Sequence, residues 1–69
     1  MRKNLYMFRH SMQLSQQAMA DKIGCNRETY ASIERGARNG SMTLWNKLQN
    51  AFGLSDAQKG ELMSVEEKA

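Results

Sequence analysis

Residues 14–36, L-S-Q-Q-A-M-A-D-K-I-G-C-N-R-E-T-Y-A-S-I-E-R-G, decide the fold of this 69-residue chain. Ser15 carries a hydroxyl that can take an orphan amide at the start of a helix over Gln16–Ile23. Gly24 supplies the left-handed backbone that ends a helix at little steric cost. Asn26 is a second cap, opening a helix that runs to about Arg35 and closes at Gly36. The stretch therefore predicts two short helices joined by a tight turn. Met19 and Ile23 lie one turn apart with Ala20 beside them, and Tyr30 and Ile33 make the matching apolar side of the next helix. Ala20 has the small side chain needed where two helices cross closely. Arg27, Glu28, Ala31, Ser32 and Arg35 fall off that apolar side. A helix that packs inward along one side and turns a polar N-terminal end outward suits presentation to a DNA groove.

The same run resembles the helix-turn-helix of the lambda-repressor/Cro-like family, also called the XRE family. The matching positions are the L-S-Q start, Ala20, Ile23–Gly24, the turn, Ile33 and the terminal E-R-G. Many positions agree at fixed spacing over more than twenty residues, whereas a bare glycine between two helices would be a weak signal. The alternative is an ordinary helical hairpin, which has no reason to expose this polar side. The resemblance covers about residues 3–54 and implies an all-α, compact five-helix lambda-repressor-like bundle. With the local signals it places helices at about 2–10, 16–23, 27–35, 42–52 and 56–66 of a single domain.

Gln16 and Gln17 sit on the first exposed turn of the second helix, where free amides and the positive dipole end suit a phosphate. The resemblance implies that Gln16 touches the DNA backbone, and sometimes a base. Specificity is expected from the third helix, whose N-terminal side chains reach major-groove edges. Arg27 is the best candidate for guanine, through bonds to O6 and N7. Glu28 can accept from cytosine N4, reject wrong sequences, or turn back to a neighbouring cation. Ser32 can reach base or phosphate, Ala31 a thymine methyl, and Asn26 the backbone as well as capping the helix. Arg38, Asn39 and Ser41 are placed to meet phosphates as the fourth helix begins, with Ser41 as its cap. Relatives often carry proline where this chain has Gly40, which implies a looser loop here. The resemblance also implies a planar, bidentate Arg9–Glu34 pair clamping the first helix to the third.

The charge distribution agrees with a polyanionic partner. Net charge is +3, but residues 1–50 hold eight Lys and Arg against three Asp and Glu, a balance of +5, and residues 51–69 balance at −2. A basic first half facing double-stranded DNA follows. Cys25 is the only cysteine, so no disulfide is expected and a reducing compartment is. Lacking a nearby His or second Cys, it suits no metal site, and no cofactor is expected. No apolar run approaches the ~20 residues of a membrane span, and the first residues lack a signal-peptide core. A cytoplasmic protein is the expectation. A chain of this size buries only about 60% of its unfolded surface and sits near the lower limit for folding alone.

In the first helix Leu5, Phe8 and Met12 fall at helical spacing and are expected in the core. His10 reads as a solvated helix-end residue. Met42, Trp45, Leu48 and Phe52 repeat at spacings of three and four, with Leu44 and Ala51 alongside; core packing outweighs base stacking for Trp45 in this pattern. Ser55 caps a last segment whose apolar set is Ala57, Leu62, Met63 and Val65. Two readings of that set stand side by side, docking on the core and a two-fold dimer contact. Residues 66–69 are expected to fray. A sequence-specific DNA-binding transcriptional regulator of phage or mobile-element repressor type emerges, pairing weakly on DNA. The rival is an antitoxin-type module that binds a protein partner and its own promoter. One His, one Cys and no clustered carboxylates assemble no catalytic constellation, so no enzyme activity is expected.

Overall fold

Side-chain caps set the starts of four of the five helices in the computed structural model, which describes residues 1–65. They are α1 (Lys3–Ser11), α2 (Gln16–Ile23), α3 (Arg27–Arg35), α4 (Met42–Phe52) and α5 (Asp56–Met63). Ala18 N–H donates to Ser15 Oγ at 3.0 Å, Thr29 N–H to Asn26 Oδ1 at 2.7 Å and Leu44 N–H to Ser41 Oγ at 3.1 Å. At α5 the exchange is reciprocal, because Gln58 N–H donates to Ser55 Oγ and Ser55 N–H to Gln58 Oε1. Each such cap contributes about 1 kcal/mol. Between α2 and α3, Gly24 at φ +74 lets Cys25 N–H reach back to Ala20 O at 3.0 Å, so the chain turns within three residues.

All-α architecture is what results, with no strand among the described residues. The longest shared seam runs between α2 and α3; α1 lies against α5 and α3, and α4 against α2 and α5. Leu5, Met19, Ala20, Ile23, Tyr30, Ile33, Trp45, Leu48 and Leu62 form the core. Phe8 and Phe52 close one flank edge-to-face, with ring centroids 5.1 Å apart.

Several expectations need correction. Ala31 is buried rather than turned to solvent. The inward side of α3 is wide, taking in positions 30, 31, 33 and 34. Met12 is exposed because α1 ends at Ser11 and the chain swings away through Gln13 at φ +58. Met42 is exposed too. It is the first residue of α4, where side chains lean towards the helix N-terminus and away from the body of the helix. Ala51 is likewise outside the core. Arg2, one of the basic residues of the first half, precedes α1 and is buried, so it adds nothing to the exposed basic surface. Helix α5 ends at Met63 with Ser64 in extended backbone; the expected fraying of 66–69 lies outside the described residues. Of the suggested dimer stripe Leu62, Met63 and Val65, Leu62 is spent on the core and Met63 packs partly against it.

The loop after α3 is backed against the core instead of hanging loose. Gly40 has φ +76, which proline cannot adopt, and a Cβ there would come within 3.1 Å of Trp45 Nε1 and 3.3 Å of Ile33 Cδ1. Trp45 Nε1–H donates to Asn39 O at 2.9 Å. No helix among the described residues is long and apolar enough to cross a membrane.

Candidate nucleic-acid interface

The orientation of α3 is fixed from behind by a carboxylate. Glu34 Oε2 accepts from Arg9 Nε at 2.8 Å and from the Tyr30 hydroxyl at 2.7 Å. Its Oε1 accepts from Arg9 Nη2 at 3.2 Å and from Gln16 Nε2 at 3.1 Å. Arg9 Nη1 donates to Leu14 O at 2.8 Å. One carboxylate thus ties α1, α2 and α3 together, and the pair is bidentate and buried. Among the described residues, no buried side-chain nitrogen or oxygen lacks a hydrogen-bond partner.

Protonation states follow from that arrangement. Burial pushes the Glu34 carboxyl up, but the hydrogen bonds from Arg9, Tyr30 and Gln16 and the Arg9 charge outweigh it, and its pKa falls below the ordinary value. The hydrogen bond to Glu34 raises the Arg9 pKa against the opposing effect of burial. Burial, then the Glu34 carboxylate, drives the Tyr30 hydroxyl far up, so it stays a donor. Burial also raises the Cys25 thiol, which keeps it protonated and unreactive.

On its outer side α3 forms one wall of a polar concavity of about 530 Å³, lined by Asn26, Glu28, Thr29, Ser32, Arg35 and Arg38. Arg38 reaches it from the following loop, so helix and loop contribute jointly. Arg35 Nη2 approaches Ser32 Oγ at 3.4 Å. Arg27 is exposed at the first turn but stands outside the concavity. Glu28 is exposed and makes no ion pair among the described residues, so the cation-paired reading of it is not what the structure holds. Asn39 and Ser41 are exposed on the loop, but Asn39 O already accepts from Trp45 and the Ser41 hydroxyl is engaged as a cap.

Gln16 and Gln17 are differently placed from one another. The Gln16 side chain points inward to Glu34, and Gln17 Nε2 donates to Asp21 Oδ1 at 2.9 Å on the surface. What α2 offers at this end is chiefly the main-chain amides of its first turn, which have no partner within the helix. Ala31, being buried, has little surface with which to meet a thymine methyl.

Thr29 and Arg35 were not singled out as contacts in the sequence, although Arg35 was read as lying off the apolar side. Their signal was helical spacing, since positions 28, 32 and 35 share one side and 29 borders it. The basic surface survives burial of three charged groups. In residues 1–50, Lys3, Lys22, Arg27, Arg35, Arg38 and Lys47 are exposed against Asp21 and Glu28.

Comparison with known families finds that the model of the helix-turn-helix domain matches residues 4–62. No curated protein and no solved structure matches the chain. With α2, the Gly24 turn and α3 arranged as described, the chain belongs to the helix-turn-helix domain family, in agreement with its lambda-repressor/Cro-like sequence pattern.

Proposed function

We propose that this domain binds double-stranded DNA sequence-specifically and regulates transcription as a phage- or mobile-element-type repressor. The observation that carries the reading is the polar concavity shared by the outer side of α3 and Arg38 of the next loop. With the α3 N-terminus in the major groove, Arg27, Glu28, Thr29 and Ser32 face base edges. Arg35, Arg38 and the Gln16 and Gln17 main-chain amides of α2 are left for the phosphates on either side. The domain works without a cofactor and without catalysis. With Leu62 in the core, α5 keeps little apolar surface for a partner, so copies are monomeric or weakly associated in solution and pair on the operator.

Readout and anchoring separate in a salt series on cognate and scrambled duplexes. Arg27→Ala is expected to weaken the best site by about 1–3 kcal/mol and relax preference at one base position. Arg38→Ala is expected to weaken both duplexes by similar factors and to lower the salt slope by roughly one unit. Equal loss on both duplexes from Arg27→Ala would make Arg27 a backbone contact.

A further inference from the structure

Arg2 lies outside every helix, yet it is only 3% exposed. Its guanidinium gathers carbonyl oxygens from three separate parts of the chain. Nη1 donates to Ile33 O at 2.6 Å and Arg38 O at 2.8 Å, Nη2 to Asn39 O at 3.4 Å, and Nε to Met63 O at 3.0 Å. Its own N–H donates to Glu34 O at 2.8 Å, and the guanidinium carbon stands 5.4 Å from the centre of the Trp45 ring. Burial lowers its pKa, but an arginine starts so high that it remains charged.

Among the described residues no carboxylate pairs with this cation. A buried charge without a counter-charge is ordinarily unfavourable. Here two helix ends supply the negative partner. Ile33 and Met63 belong to the last turns of α3 and α5, where carbonyls without a partner inside the helix concentrate partial negative charge. Ile33 O also accepts the Gly36 N–H at 3.0 Å. The remaining two acceptors, at 38 and 39, belong to the loop that carries Arg38 to the concavity.

We propose that Arg2 is the positioning residue of this loop: its guanidinium fork pins the Arg38 and Asn39 carbonyls to the end of α3 and thereby aims the Arg38 side chain at the DNA backbone. The proposal rests on the reading of the loop as a phosphate contact. Buried as it is, the Arg2 guanidinium meets no phosphate itself, and it acts through the peptide groups on either side of Asn39. A point-like ammonium cannot span four carbonyls spread around a planar fork, so lysine is a poor substitute.

The test compares Arg2→Lys, which keeps the charge and is milder than Arg2→Ala, with the wild type and with Arg38→Ala. One readout is solvent exchange of the Trp45 indole N–H, which bonds to Asn39 O and so reports the loop. The other is affinity for duplex DNA. Arg2→Lys is expected to speed indole exchange about tenfold while the amides of α2 keep their protection. It is expected to weaken duplex binding about tenfold, and adding Arg38→Ala to it should cost less than about twofold more. Unchanged indole exchange, equal acceleration of the α2 amides, or fully multiplying losses in the double variant would each overturn the positioning role. Arg38→Ala that leaves wild-type binding intact would instead overturn the assignment of the loop to DNA, and accelerated indole exchange would still report the clamp.

Discussion

Glu34→Ala is expected to lower the unfolding free energy by about 3–5 kcal/mol, because it strands the buried Arg9 guanidinium without its counter-charge. The Tyr30 hydroxyl and Gln16 amide lose their acceptor in the same step. A domain of this size has roughly 3–10 kcal/mol in total, so the variant should be largely unfolded at physiological temperature. Arg9→Ala should be nearly as damaging, and the double variant clearly less than the sum. Glu34→Gln keeps the shape and isolates the charge. The depressed Glu34 pKa means the unfolded state binds the extra proton as pH falls. Its stabilisation is therefore complete above the unfolded carboxyl value of about 4.3 and is lost as pH falls through the lower folded value. Tyr30 runs the other way. Its raised pKa gives stability that is complete below the unfolded value of about 10 and is lost as pH climbs beyond it. Urea unfolding across pH should show a plateau with both limbs, and Glu34→Gln should flatten the acid one. Additive, mild losses at Arg9 and Glu34 would show that the two are not coupled.

Trp45→Ala is expected to cost about 3–5 kcal/mol through the cavity it opens. The side chain is fully buried against Ile33 and the Gly40 backbone, and Arg2 lies over its ring. Trp45→Phe retains most of that contact but loses the bond to Asn39 O, for an expected loss of about 1–2 kcal/mol. Denaturant unfolding measures both. If Trp45→Ala left stability intact and removed only DNA binding, base stacking would be the correct role for this residue.

How far the sequence could be read depended on whether each signal was local. Ser15, Asn26, Ser41 and Ser55 mark their helix starts through bonds within three residues, and Gly24, Gly36 and Gly53 mark ends through their own backbone. Such features are legible one residue at a time. The Arg9–Glu34 pair spans 25 residues and was legible only through the family resemblance. Arg2 has no periodicity to betray it, since it precedes α1 and its partners lie as far as 61 residues away. Ala31 was misplaced because spacing gives the direction of a side chain but not the width of the seam it borders. Leu62 had two candidate destinations, and only the packing of α5 on α1 and α4 chooses the core. In the interface, the exposure of Arg27 and Glu28 was legible from the α3 period, whereas the joining of Arg38 to Ser32 and Arg35 depends on the path of a loop.

Sequence-specific recognition of duplex DNA by α3 is tested most directly by recovering bound duplexes from a random pool. One enriched motif is expected, built of two-fold related half-sites about 10 bp apart or a multiple of that spacing, with Arg27→Ala relaxing a single position in each half. A recovered pool indistinguishable from the input, held only by salt-sensitive attraction to the basic surface, would contradict it.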